Sequence, residues 1–154
     1  MKSLIILFTL PLIMLSCAPK EQETESSQSP AIREKVTDGV FIHLSHGPED
    51  PHRVLMALRM AEMMAENKDV LVYFDIKAVH VVIKDAENIT MEGKFPNSQE
   101  QLANLIEMGV ELQVCPGCLN AAGKTEEDVM EGVNMANKES FFNFTDGRIL
   151  SIDY

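Results

Sequence analysis

Short apolar runs alternate with helical segments along most of this 154-residue chain. Three runs have the character of strands, namely GVFIHL at 39–44, DVLVYF at 69–74 and the alternating segment at 110–114. Strands separated by helices pair in parallel, because each crossover helix returns the chain to the same end of the sheet. The pattern predicts an α/β fold with a mainly parallel sheet and helices on both faces. All strand carboxyl ends then meet at one edge, where such folds bind ligands.

The ends of two helices can also be located. The first helix is predicted from Pro51 to about Asn67, since proline suits the first position of a helix. Ser98 to Gln101 has the spacing of a capping box, and Gly109 is expected to end the helix that this box begins.

The remaining segments are shorter. Residues 78–83, AVHVVI, fit either a continuation of the preceding strand or the start of a short helix. Thr125 with Asp128 predicts a helical turn. A short helix at 139–143 and a final strand at 148–152 complete the alternation.

Two cysteines flank a turn-forming pair in the sequence VCPGCL, residues 114–119. Cys115 is predicted to be the last residue of a strand, with residues 119–122 in the first turns of the next helix. A thiol near free amides at a helix start should have a lowered pKa and react as a thiolate. Cys118 is one turn away, where it can resolve a sulfur adduct on Cys115 or close a disulfide with it, and Pro116 restricts the intervening loop.

The cysteine pair also has two other interpretations. A two-residue spacer is shared by redox, zinc and iron-sulfur proteins, and the alternative to a working thiol is a structural disulfide or two buried thiols. His43 and His46, at the end of the first strand, could complete a zinc site with Cys115 and Cys118. His43 also fits the apolar strand pattern as a core residue, whereas His46 is placed as a loop acid–base group near the thiol.

Methionines form a second apolar stripe on the first predicted helix. Met56, Met60 and Met63 lie nearly opposite the stripe expected to face the sheet. That second stripe could contact another subunit, bind Cu(I) or be buried under the tail of the chain.

The amino terminus has the features of a secretory signal. An apolar run from Leu4 to Leu15 is too short for a mature membrane anchor, which predicts a signal peptide over residues 1–16. Ser16 followed by Cys17 resembles the lipobox of bacterial lipoproteins, so Cys17 is the predicted lipidation site. The alternative is an ordinary signal peptide with Cys17 incidental. Ala18 in place of aspartate favours the outer membrane, facing the periplasm.

Composition then divides the rest of the chain. Residues 17–35 form a lipidated cysteine and a polar, flexible tether, and residues 36–154 form one domain. Removing Lys2, the one charge in the signal, changes the net charge from −11 to −12. Such a charge repels phosphate backbones, so nucleic acid is excluded as a partner, and the membrane is expected to be reached through the lipid anchor only.

Two stretches of the chain resemble the DsrE/DsrF-like (YchN-like) sulfur-relay family. They are HLSHGPEDPHRVLMALRMAEMMAENKDVLVYF at 43–74 and VCPGCLNAAGKTEEDV at 114–129, the latter followed by EGV. The resemblance implies a five-stranded, mainly parallel sheet and a homotrimer or homohexamer. It implies a persulfide-carrying role for Cys115, which is followed eight residues later by Gly123. Cys118 departs from the many members that have serine or another small residue there, which favours disulfide chemistry.

The leading hypothesis is an exported, lipid-anchored DsrE-like thiol or sulfur carrier. Cys115 accepts sulfur or an oxidising equivalent, Cys118 resolves the adduct, and His46 assists. A sulfur-donor or acceptor protein is the expected partner, no resident cofactor is expected, and the family's cytoplasmic partners are not transferred. The alternatives are a zinc- or copper-binding module and a non-catalytic interaction domain of the cell envelope.

Overall fold

The computed structural model describes residues 36–93 and 95–154, which contain five strands and four α-helices. The predicted signal peptide, the predicted lipidation site Cys17 and the predicted tether lie outside the described residues. The strands are β1 (Gly39–Leu44), β2 (Asp69–Phe74), β3 (Glu111–Val114), β4 (Asn134–Met135) and β5 (Ile149–Asp153). The α-helices are α1 (Pro51–Ala65), α2 (Ser98–Glu107), α3 (Pro116–Ala121) and α4 (Lys138–Phe142). No helix in the described ranges has both the length and the apolar character needed to cross a bilayer.

The five strands form one sheet in the order β4-β3-β2-β1-β5, with every neighbouring pair parallel. The α/β fold with five strands is therefore confirmed, and the sheet is entirely parallel. The steps from β1 to β4 all move in one direction, whereas the step from β4 to β5 returns across the sheet. Because such crossovers are right-handed, the first three helices cover one face and α4 covers the other.

The main hydrophobic core lies under α1 and α2. Inward residues of the two central strands, such as Ile42 and Val72, have no exposed surface, and neither do Leu58 of α1 and Leu105 of α2. The other sheet face, here called the α4 face, carries Phe41, His43, Leu71 and Tyr73. Phe141 of α4 packs edge-on against Phe41 and Tyr73, with ring centroids 5.2 and 5.0 Å away. The two layers of helices are therefore unequal, since a single short helix covers the second face.

The predicted start of α2 is wrong by one residue. Asn97, not Ser98, is the cap: its side chain accepts from Glu100 N at 3.0 Å, and the Glu100 carboxylate accepts from Asn97 N at 3.2 Å. The Ser98 hydroxyl is buried and accepts from Ile89 N at 2.9 Å. Both residue types cap helices well, and the tertiary contact with Ile89 decides between them.

Two short 3₁₀ helices and one short strand complete the described structure. Residues 78–81 form a 3₁₀ helix, which settles the ambiguity there in favour of the helical alternative. A second 3₁₀ turn at 126–128 follows Thr125, whose backbone N–H donates to the Asp128 carboxylate at 2.7 Å. Strand β4 was not predicted, because its two residues are too short to show a period.

The methionine stripe of α1 is only partly exposed. Met56 and Met60 are half-buried, and Met60 packs against the core, whereas Met63 keeps 49% of its surface exposed. Burial against the protein's own core therefore accounts for part of the second apolar stripe.

Two loops at the carboxyl edge of the sheet pack tightly together. Lys77 N donates to Ser45 O at 3.1 Å, and Gly47 is buried against the Lys77 carbonyl. A Cβ added at Gly47 would lie 2.4 Å from Lys77 O, a backbone atom that cannot rotate away. Glycine is therefore required at this contact.

We predict that Gly47→Ala lowers the free energy of unfolding by about 1–3 kcal/mol, because the two loops must move apart. Gly117→Ala is the matched control, since its nearest neighbour beyond the adjoining residues is Cys115 Sγ at 4.0 Å. Urea unfolding followed by circular dichroism would measure both variants. Equal stabilities for Gly47→Ala and the wild type would contradict the close packing.

Candidate functional site

The carboxyl edge of the sheet gathers polar side chains from neighbouring strands. The strand register aligns Asp153 of β5 with His43 of β1, and His43 with Tyr73 of β2. Cys115 follows β3 directly and continues its ladder, with Cys115 N donating to Phe74 O at 2.9 Å. The parallel sheet thus brings a histidine, a tyrosine, a carboxylate and a thiol to one edge.

Both cysteines belong to the first turn of α3. Cys115 is the residue that caps this helix, and its Sγ accepts a hydrogen bond from Cys118 N at 3.3 Å. The helix begins at Pro116, earlier than the predicted 119–122, and Cys115 lies just beyond the strand instead of at its last position. Proline at the first helical position starts the turn immediately after the cysteine.

The pKa of Cys115 is lowered from its ordinary value. Burial by itself raises this pKa, but hydrogen bonding from the Tyr73 hydroxyl, the Cys118 thiol and the amides of Cys118 and Gly117 outweighs burial. These donors stabilise the thiolate more than the thiol. Because α3 has only six residues, these individual donors are the cause, not the dipole of a long helix.

Cys118 is shifted in the opposite direction. Its pKa is raised, first by burial and then by the neighbouring Cys115, with a further contribution from the charge of Asp75. Both residues are free thiols in this structure and are partly accessible. The site therefore holds one thiol suited to attack and another that keeps its proton.

Tyr73 carries the reciprocal effect. Its pKa is strongly raised, first by burial and then by hydrogen bonding and charge interaction with Cys115. The ring is held by Phe141 at 5.0 Å and by the tilted imidazole of His43 at 5.9 Å. Tyr73 thus remains a neutral donor to the thiolate.

His43 lies between two carboxylates. Its Nδ1 is 2.9 Å from Asp153 Oδ1, and its Nε2 is 3.0 Å from Asp75 Oδ2. The contact with Asp75 is an ion pair but not a hydrogen bond, because the geometry at Nε2 does not meet hydrogen-bond criteria with any partner within the described ranges. Burial lowers the pKa of His43, but the two carboxylates outweigh burial and raise it. His43 is thus engaged by acidic groups, not free as a metal ligand.

His46 lies in the loop after β1, at the same edge of the sheet. Its Nδ1 is 3.3 Å from the hydroxyl of Ser45, which itself donates to Tyr154 O at 3.0 Å. The hydrogen bond of His46 is therefore made within its own loop and not with a thiol. Across residues 36–93 and 95–154, no three or more His, Cys, Asp or Glu side chains are grouped as metal ligands.

A shallow cavity opens between the residue that follows Cys115 and helix α4. It has a volume of about 290 Å³, and Tyr73, Pro116 and Phe141 are among the residues that line it. A larger cavity of about 500 Å³ lies at the opposite edge, where Asp69 and Glu111 begin their strands, and it contains neither cysteine. Neither cysteine lines either cavity, but the smaller one includes Tyr73 and Pro116, which adjoin Cys115.

Sequence reasoning missed Tyr73 and Asp75. Tyr73 interrupts the apolar run DVLVYF with a polar hydroxyl, and Asp75 is the first residue after that run. A polar group at the carboxyl end of a strand beside a cysteine strand is the signal that could have indicated both.

The fold and site define a small α/β domain with two unlike thiols at the carboxyl edge of a parallel sheet. The chain belongs to the DsrE/DsrF-like family, whose model matches residues 38–146. This membership supports the sulfur-relay fold that the sequence predicts.

Two proteins are similar to this chain in sequence, and one solved structure is similar to it in fold. The Methanopyrus kandleri protein "Uncharacterized protein MK0008" is 30% identical over 112 residues, covering 70% of this chain and 86% of that protein. The Methanocaldococcus jannaschii protein "Uncharacterized protein MJ0989" is 30% identical over 102 residues, covering 66% and 86%. The ychN protein from E. coli has a similar fold, with a TM-score of 0.58 at 19% identity over 75% of this chain and 99% of that one.

We predict that Tyr73→Phe raises the pKa of Cys115, because the variant lacks the hydroxyl that stabilises the thiolate. The rate of iodoacetamide alkylation against pH, quantified by mass spectrometry on the peptide that contains Cys115, would measure this pKa. Tyr154→Phe is the matched control, because it makes the same chemical change at a residue beyond β5. A Cys115 pKa that is unchanged in Tyr73→Phe would show that the hydroxyl does not stabilise the thiolate.

Proposed function

We propose that this protein is a thiol or sulfur carrier in which Cys115 accepts sulfane sulfur or an oxidising equivalent and Cys118 resolves the adduct. The proposal rests on the geometry of the cysteine pair, in which Cys118 N donates a hydrogen bond to Cys115 Sγ at 3.3 Å. The pKa values of the two thiols are shifted in opposite directions. Attack requires a thiolate, whereas a resolving thiol must not compete for the first reaction. Membership of the DsrE/DsrF-like family supports the same chemistry.

The steps balance as ordinary thiol exchange. The Cys115 thiolate attacks a sulfane sulfur of a polysulfide, forms a sulfur–sulfur bond to it and expels a shorter polysulfide anion. An acceptor thiolate can then remove the outer sulfur and regenerate Cys115. Alternatively, Cys118 attacks Cys115 Sγ as a thiolate, so that a disulfide forms and the outer sulfur leaves as hydrosulfide. In the second route the two cysteines are oxidised and the sulfane sulfur is reduced.

The proposal places this chemistry at the bacterial cell envelope. The apolar run from Leu4 to Leu15, followed by Ser16 and Cys17, supports export and lipid anchoring, with the domain facing the periplasm from the outer membrane. The partner is a sulfur-donor or acceptor protein. The net charge of −11 disfavours nucleic acid.

The proposal also includes a homo-oligomer, a trimer or hexamer as the family resemblance implies. An entirely parallel sheet normally has both faces covered, but α4, with five residues, is the helix on the second face. On that face Phe142 keeps 63% of its surface exposed and Ile149 keeps 50%. A second copy of the chain packed on the α4 face would bury both side chains.

We predict that exposure to polysulfide adds the mass of one sulfur atom to Cys115. Cys118→Ser should prolong the life of this persulfide, because no second thiol displaces the outer sulfur. Cys115→Ser should abolish the adduct. Intact-protein and peptide mass spectrometry would locate the added sulfur.

The same samples, purified without chelator, should be analysed for metals. A Cys115 that stays unmodified by both polysulfide and mild oxidant would overturn the carrier proposal. About one zinc per chain would instead support a metal-binding module.

We predict an assembly several times the mass of the 17.2 kDa chain in sedimentation experiments. Phe142→Glu should reduce this mass, because it places a charge on the α4 face. Met63→Glu is the matched control on α1, where the native side chain is 49% exposed. Dissociation by Met63→Glu alone would assign the interface to the methionine stripe, and a monomeric wild type would overturn the oligomer.

A further inference from the structure

The smaller cavity at the carboxyl edge adjoins Cys115 through three of the residues that line it. Pro116 follows Cys115 directly in the chain. Ala136 N donates to the carbonyl of Val114, the residue that precedes Cys115, at 2.9 Å. Tyr73 also lines the cavity, and its hydroxyl donates a hydrogen bond to the Cys115 thiolate. A molecule bound in this cavity would therefore lie beside the residue that attacks sulfur.

The size and the walls of this cavity suit a small organic molecule. Its volume of about 290 Å³ is close to the lower end of the range for small-molecule sites, about 300–1,000 Å³. Phe141 and Phe142 line it together with Tyr73. The ring centroid of Phe141 is 5.0 Å from that of Tyr73 and 5.4 Å from that of Phe142, and both pairs meet edge to face. Three aromatic side chains favour a ligand with an apolar or aromatic body.

The charge of the lining comes from one residue. Among the described residues that line the cavity, Lys138 alone carries a charge. Its ammonium group forms no ion pair with a carboxylate of residues 36–93 or 95–154. The Asn137 side chain is occupied, because it accepts from Glu139 N at 3.1 Å and from Ser140 N at 3.0 Å. The cavity thus offers a single cation beside an apolar wall, within a chain whose net charge is −11.

We infer that this cavity binds a small organic anion that carries transferable sulfur, with an apolar or aromatic body and one carboxylate or sulfonate group. The body packs against the rings of Tyr73, Phe141 and Phe142, and the acidic group pairs with Lys138. This inference rests on the proposed carrier function and names the chemical class of the sulfur donor.

The transfer from such a donor balances as thiol exchange. The Cys115 thiolate attacks the outer sulfur of an organic persulfide and forms a sulfur–sulfur bond to it. The bond between the outer sulfur and the organic sulfur breaks, and the organic thiolate leaves with its acidic group. Cys115 then holds one additional sulfur atom, and the exchange needs no external oxidant.

The test compares two aromatic disulfides that release coloured thiolates. Dithiobis(nitrobenzoate) has a carboxylate on each ring, whereas dithiodipyridine is uncharged at neutral pH. The protein is the full chain in non-ionic detergent with Cys17→Ser and Cys118→Ser, so that the rate reports Cys115 alone. Each rate is divided by the rate of mercaptoethanol with the same reagent in the same buffer. The corrected rate should be higher for the anionic reagent, although the net charge of the chain repels anions.

Two substitutions of equal charge separate the cavity from the rest of the surface. Lys138→Gln should lower the ratio of the anionic to the uncharged rate by about two- to fivefold, the effect of one exposed charge pair. Lys68→Gln is the matched control, because it removes the same charge from the cavity at the opposite edge of the sheet. A wild-type ratio of one or below would overturn the inference, and so would equal losses in the two variants.

A second measurement locates the bound anion. Nitrobenzoate, which has no disulfide, should slow the alkylation of Cys115 by iodoacetamide, whereas acetate at the same concentration should not. An alkylation rate that nitrobenzoate leaves unchanged would overturn the placement of the anion beside the sulfur.

The same experiment distinguishes failure of the inference from failure of the carrier function. Lack of reaction of Cys115 with both disulfides would refute the carrier function itself. Reaction with both, at a ratio that Lys138→Gln does not change, would refute only the anion site.

Discussion

The parallel alignment of every strand is the constraint on which the rest of the structure depends. It brings the carboxyl ends of β1, β2 and β3 to one edge, so that His43, Tyr73 and Cys115 become neighbours although they are distant in the chain. The same alignment requires crossover helices, and α1 and α2 provide the apolar surface that stabilises the sheet. The same parallel strands and crossover helices thus form the hydrophobic core and position the polar residues of the site.

Within this edge, small differences in surroundings give two cysteines different chemistry. Cys115 caps a helix and receives several donors, whereas Cys118, three residues later, is partly buried, and its pKa is raised by burial, by Cys115 and by the charge of Asp75. The difference arises from neighbouring strands as well as from the CxxC segment, since Tyr73 belongs to β2 and Asp75 follows it. A grafted CPGC sequence alone would lack these neighbours.

Local sequence patterns predicted the strands that position this site better than the side-chain contacts within it. The strands at residues 39–44 and 69–74 were predicted correctly, because short, continuous apolar runs are typical of buried parallel strands. The cap of α2 was misassigned because Asn97 and Ser98 are equally suited and a contact with Ile89 decides. The partnership of His43 with Asp153 could not be predicted, since 110 residues separate them and only the strand order brings them together.

The docking of β5 has a consequence for folding order. Strand β5 is the last of the described strands in the chain, and it pairs with β1, the first. This pairing places Asp153 beside His43, and Tyr154 N donates to His43 O at 2.8 Å. Contacts of such sequence separation carry the largest loop-closure cost and tend to form late. A chain could therefore have its thiols in place before the charge network around His43 is complete. Because the donors to Cys115 come from Tyr73 and from α3 itself, its thiolate would then be available before folding has finished.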